Sequence, residues 1–94
     1  MSEPADAIVL DIDGGQMLEE CIASIRRQSE PFRRVIVFDN GSRVPVAERI
    51  GDVEIVRSEV NIGFARGVNE AFHRTDAPLV ALINNDVVLD SDWL

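Results

Sequence analysis

The sequence contains no lysine: all nine basic residues are arginines, set against seventeen Asp and Glu for a net charge of -8. Gripping a phosphodiester backbone takes clustered positive charge, so nucleic acid is excluded as the expected partner. A diphosphate is a different matter, because a divalent cation can sit between carboxylates and phosphates. Cysteine is scarce too. The single Cys21 falls among Leu18, Ile22 and Ile25 at helical spacing, which predicts a buried core thiol rather than a nucleophile. No apolar run approaches the roughly 18 residues of a membrane span. The opening MSEPADA is acidic and lacks the basic start of a secretory signal, so a reducing, cytoplasmic setting is expected. Internal repeats and low-complexity linkers are missing, and the lone His73, beside Arg74 and Thr75, reads as solvated.

What is present suits one small globular unit. The chain has 94 residues and is 46% hydrophobic, and a domain of that size buries only about two-thirds of its unfolded surface. Ala7 to Ile12 is a short apolar run ending in Asp13-Gly14-Gly15, as expected of a buried strand and its turn. From Gln16 to Gln28, Leu18, Cys21, Ile22 and Ile25 recur on one helical face, with acids early and arginines late. After Pro31, RVIVF leads into Asp39-Asn40-Gly41-Ser42, a second strand and turn. A short helix is expected over Val44 to Ile50 behind Pro45, and a third strand at 53–56. Phe64, Val68, Ala71 and Phe72 mark a second helix, with Asn61 as its expected cap. Finally, LVALI at 79–83 has the continuous apolar character of a central parallel strand and stops at Asn84-Asn85-Asp86. Asp90 to Leu94 look like a capped first helical turn with nothing after it, and one turn does not persist alone.

Strands alternating with helices predict an α/β fold, an open parallel sheet with flanking helices. The first strand is expected between those at 35–39 and 79–83, in the order 3-2-1-4. Ligands of such sheets bind beyond the carboxyl ends of the strands, and three polar clusters fall there: Asp11/Asp13, Asp39 to Ser42, and Asn84 to Asp86. Singly, each has an ordinary explanation. Asp39-Asn40-Gly41-Ser42 is built from turn-favouring residues, Asn84-Asn85-Asp86 is a polar strand end, and Asn61-Ile62-Gly63 is a helix start.

Taken together and in order, LEECIASIRRQ, VIVFDNGS, NIGFARGVNEAF and ALINNDVVLDSDWL resemble the family 2 glycosyltransferases, especially the rhamnosyltransferase-like branch. The resemblance runs from Ala7 to the end. It implies a GT-A fold, of which residues 1–94 are the N-terminal nucleotide-sugar-binding part without the acceptor-binding half. It also implies an inverting transfer from a UDP- or dTDP-sugar to an acceptor hydroxyl on a glycan or lipid-linked acceptor. By that resemblance Asp39, with Asn40 and Ser42 in its turn, matches the family's contact to the uracil or thymine base. Asn61, Gly63 and Asn69 match a segment near the nucleotide, Asn84 and Asn85 stand beside ribose and phosphate, and Asp86 ligates Mg²⁺ or Mn²⁺. The family's catalytic base lies in its second half, so no catalytic residue is assigned.

The chain departs from the family pattern where the first strand ends in Asp11-Ile12-Asp13 instead of Thr-Tyr-Asn or a relative, adding negative charge near a polyanionic donor. A different class of function, a degenerate non-catalytic nucleotide-binding or scaffold module, follows if those acids abolish donor binding. A dinucleotide-binding Rossmann domain is excluded because no G-x-G-x-x-G follows the first strand.

Overall fold

The computed structural model describes residues 3–94; the first two residues of the acidic MSEPADA start lie outside it. In chain order the elements are β1 (Ala5–Asp11), α1 (Gln16–Arg26), β2 (Arg34–Asn40), a 3-10 turn (Val46–Glu48), β3 (Glu54–Ser58), α2 (Phe64–Phe72) and β4 (Leu79–Asn84). The four strands form one sheet in the order β3-β2-β1-β4. Every pairing is parallel: Ile8 lies beside Ile36 and Leu82, and Asp39 beside Arg57. The expected fold class and strand order are both observed.

Side chains alternate across the sheet, and each face packs against its own helix. On one face Ala7, Val9, Val37 and Ile83 meet Leu18, Cys21, Ile22 and Ile25 of α1, together with Val46, Ile50 and Leu89. On the other, Ile8, Ile36 and Phe38 meet Ala71 of α2, with Leu10 and Val80 at the margin. Burial of β1 on both faces explains its nearly unbroken apolar run. The approach of α2 is close at Gly67, where an added Cβ would stand 2.7 Å from Leu10 Cδ1 and 3.3 Å from Phe38 Cδ1.

Several boundaries differ from the sequence expectation, each for a physical reason. β1 starts at Ala5, so Asp6 lies within the strand. Its carboxylate accepts from Arg33 Nε (3.0 Å) and Nη2 (2.8 Å) and from the Thr75 hydroxyl, which lets a charge be buried there. α1 ends at Arg26 rather than Gln28, because the Gln28 side chain donates to Asp90 O (2.6 Å) and accepts from Leu94 N (2.8 Å). Those contacts, with Ser29 N on Ser91 O at 2.8 Å, hold the last turn against α1, where local helix formation alone would not. The segment over Val44 to Ile50 shortens to the 3-10 turn. Asn61 is not the cap of α2. Gly63 occupies that position with φ 87° and no side-chain cap, while Asn61 Oδ1 accepts from Gly63 N at 2.8 Å in a local Asx turn. Among the described residues no helix is long and apolar enough to cross a membrane.

Candidate nucleotide-binding rim

The three polar clusters meet along the C-terminal edge of the sheet. At its centre β1 delivers Asp11, 2% exposed, whose Oδ1 accepts from Asn85 Nδ2 at 2.8 Å and whose Oδ2 receives a longer contact from Gly14 N at 3.4 Å. Asn85 follows β4, so one amide–carboxylate contact joins the ends of two neighbouring strands. An added Cβ at Gly14 would stand 2.1 Å from Asp11 Oδ1 and 2.9 Å from Asn85 Nδ2; the absence of a side chain there makes the contact possible.

The turn after β2 is built around Asp39, which is fully buried. Oδ1 accepts from Ser42 N (3.0 Å), and Oδ2 accepts from Val46 N (2.9 Å) and Arg57 Nη1 (2.6 Å). Burial pushes this carboxyl up. The donors at Val46, Ser42 and Arg57 outweigh it and hold the group below the ordinary aspartate value. Asn40 turns the other way: its Oδ1 accepts from Ile62 N (2.9 Å) and its Nδ2 donates to Gly63 O (3.3 Å), docking the 61–63 segment on the end of β2. Gly41 has φ 84°, and a Cβ there would stand 2.8 Å from Val60 C and Asn61 N, so both its backbone and its lack of a side chain are required.

Asp13, itself at φ 51°, straps the β1 and β2 turns together. Its N–H donates to Ser42 Oγ (2.9 Å), its Oδ1 accepts from Arg43 N (2.9 Å), and Arg43 Nε stands 3.4 Å from Oδ2.

Two clefts open on this rim and share Asp11 as their common wall. One, of about 350 Å³, is lined by Asp11, Asp13, Gly14, Ser42, Arg43 and Arg49 among others. The second, of about 310 Å³, is lined by Leu10, Asp11, Ile12, Asn40, Phe64 and Asn84 to Asp86. It lies beyond the carboxyl ends of β1 and β4, the side on which open α/β sheets usually bind their ligands. Of the residues singled out in the sequence, Ser42, Asn40, Asn84, Asn85 and Asp86 line one cleft or the other. Asp39 lines neither, sitting beneath Ser42. Asn61 and Gly63 are exposed beside the second cleft's Asn40 wall, and Asn69 is exposed on α2, outside both linings. Arg57 was missed: at the end of a strand it reads as an ordinary surface cation, and only the register pair with Asp39 reveals it.

Cys21 is buried and donates to Asn84 O at 3.5 Å. Burial first, then the nearby Asp86 and Asp11 charges, push its thiol up to about 11, which suits a packing role.

Among curated protein sequences none matches this chain. Solved structures do match in fold. The crystal structure of S. aureus TarS superposes with a TM-score of 0.84 at 18% identity, over 95% of this chain and 18% of that one. TarS 1-349 in complex with UDP superposes with the same score and identity over 95% and 29%, and the complex with UDP-GlcNAc with a TM-score of 0.80 at 18% identity over 94% and 28%. The chain therefore spans less than a third of each of these proteins. The family model for glycosyl transferase family 2 matches residues 13–94, from the Asp13 strap through the 39–42 turn and the 84–86 strand end, and the chain belongs to that family.

Proposed function

We propose that this chain binds the donor of an inverting glycosyltransferase, a UDP- or dTDP-sugar, with the nucleotide lying along the two clefts and Mg²⁺ or Mn²⁺ between Asp86 and the diphosphate. The observation that carries this is the convergence of the 39–42 turn and the 84–86 strand end around adjoining clefts beyond the carboxyl ends of β1 and β4, with the 61–63 segment docked on Asn40 beside them. Support also comes from the TarS structures in complex with UDP and with UDP-GlcNAc.

The donor set suits a cation that arrives with its phosphates. Among the described residues no three His, Cys, Asp or Glu side chains are grouped as a metal site, and the Asp11 carboxylate is engaged by Asn85 and Gly14. Exposed Asp86 supplies one carboxylate, and Mg²⁺ is commonly held by one or two carboxylates plus substrate phosphates and water. When bound, the cation neutralises charge on the leaving nucleoside diphosphate. This chain's own contributions are orientation and shielding. Ser42 and the Asp13 strap shape one cleft, Asn84 and Asn85 offer amides to ribose and phosphate, and Asp39 holds the base-side turn through its buried bonds. The acceptor, on a glycan or lipid, and the base that deprotonates its hydroxyl are expected from the rest of a family 2 fold. Residues 1–94 alone are expected to hold donor without transferring sugar.

The acids at Asp11 and Asp13 favour the second reading, a degenerate module. Asp13 is countered by Arg43, whereas the Asp11 carboxylate is bonded by the neutral amides of Asn85 and Gly14. Amide-shift mapping with UDP, dTDP and GDP in the presence of Mg²⁺ separates the two. Shifts concentrated at 40–42, 61–63 and 84–86 with the pyrimidine nucleotides support donor binding. Absence of shifts at millimolar ligand supports the module.

A further inference from the structure

We propose that Arg57 is a positioning residue of the nucleotide site: from β3 it grips the Asp39 carboxylate and the Ser42 carbonyl together, and so fixes the turn that presents Ser42 to the 350 Å³ cleft. The inference rests on reading the clefts as the donor site.

Asp39 and Arg57 are register partners on adjacent parallel strands. One guanidinium reaches two acceptors: Nη1 lies 2.6 Å from Asp39 Oδ2, and Nη2 lies 3.2 Å from Ser42 O. A planar fork spans two such acceptors with little loss of side-chain freedom per bond, which a lysine ammonium does not reproduce. The Asp39 side chain is 0% exposed and that of Arg57 25%, so the pair is only partly screened by water. From the turn the hold passes outward, because Ser42 Oγ accepts from Asp13 N, and Asp13 and Ser42 both line the cleft. Arg57 itself lines neither cleft, so its action on a ligand is indirect.

The charges around Asp39 explain why no neighbour replaces Arg57. From β1 the register partner is Asp11, and the loop after it contributes Asp13, already paired with Arg43. Beyond β3 stands Glu59, 3.6 Å from Arg57 Nε. Without the guanidinium, Asp39 is a buried carboxylate flanked chiefly by other acids. Its proton affinity then rises, and a protonated Asp39 loses an acceptor for the Ser42 and Val46 amides.

The test is calorimetric titration of UDP with Mn²⁺ between about pH 7.5 and 4.5, a range that stays above the ordinary aspartate value of about 3.9, on the wild-type protein, Arg57→Gln, Arg57→Lys and Arg34→Met. Arg34→Met breaks the Arg34–Glu54 pair (2.6 Å) at the opposite end of the same strands and controls for simple loosening of the β2–β3 edge. Arg57→Gln is expected to weaken UDP about tenfold at neutral pH, the scale of one lost charge-assisted bond, and to begin losing affinity at higher pH than wild type. Arg57→Lys restores the acid limb while keeping a smaller affinity deficit, and Arg34→Met changes neither. A folded Arg57→Gln protein with wild-type Kd and pH dependence overturns the proposal, as does an Arg34→Met protein that behaves like Arg57→Gln. If Arg57→Gln does not fold, an unchanged Kd in Arg57→Lys overturns the two-acceptor grip. If the wild-type protein binds no UDP, the donor reading fails, and NMR titration of the Asp39 carboxyl then decides on Arg57 alone: a midpoint raised in the variant supports its hold on the turn, and an unmoved one ends the proposal.

Discussion

Asp11 and Asn85, 74 residues apart in sequence, meet at 2.8 Å across the ends of β1 and β4 and form the wall between the two clefts. The contact is local in space and wholly non-local in sequence. It also supplies a nearly buried carboxylate with its one short donor.

Replacing Asn85 by Ala should therefore lower stability by about 1–3 kcal/mol, the usual cost of leaving a buried polar partner unsatisfied. In an Asp11→Asn background the same change should cost less, because the carboxylate that needed the donor is gone. Urea denaturation of the four proteins at neutral pH measures the coupling; additive losses would mean the contact carries little.

Gly14 and Gly51 make a second comparison. A methyl at Gly14 falls 2.1 Å from Asp11 Oδ1, whereas nothing lies within 4 Å of one at Gly51. Gly14→Ala should cost about 1–3 kcal/mol by overpacking. Gly51→Ala should be neutral or stabilise by up to about 1 kcal/mol through the unfolded chain. Thermal unfolding of both variants checks the pair.

The acid limb of stability should depend on Asp6 and Asp39. Burial pushes the Asp6 carboxyl up, but Arg33, Thr75 and Arg34 outweigh it and the net shift is downward; Asp39 is lowered likewise. A folded-state pKa below the unfolded value of about 3.9 gives stability that is fully present above that value and lost as pH falls through the folded pKa. Stability should thus be flat from neutral pH to about 5 and fall below about 4. Arg33→Met removes the main partner of Asp6 and should lower stability at neutral pH while making the fall below about pH 4 shallower, because less of the pKa difference is left to lose. Urea midpoints measured across pH would show it.

Cys21, with its thiol pushed up to about 11, should not react with a disulfide reagent at pH 8 in the native protein and should react at once in urea. Rapid native labelling would place the thiol outside the α1–sheet core.

The sheet was legible because its signals are local: apolar runs of strand length, two amphipathic helices, and turn residues between them. Strand order also followed, since the polar ends had to share a rim. What escaped depends on partners far along the chain. Asp6 looked like a strand boundary because Arg33 and Thr75, 27 and 69 residues away, are invisible locally. Asn61 passed for a helix cap because a cap and an Asx turn use the same side-chain oxygen two residues apart in register. The 39–42, 61–63 and 84–86 clusters were each identifiable, yet the burial of Asp39 beneath Ser42 and its grip by Arg57 emerge only when β3 is laid beside β2.

The central claim is that the rim holds a pyrimidine nucleoside diphosphate through a cation at Asp86. A diphosphate approaching a chain of net charge -8 is repelled unless a cation bridges it. Calorimetric titration of UDP into the protein with Mn²⁺ and again with chelator, repeated on Asp86→Ala, tests this directly. The account predicts binding to the wild-type protein that requires Mn²⁺ and loses that dependence, with most of its affinity, in Asp86→Ala; equal affinity with metal and with chelator would contradict it.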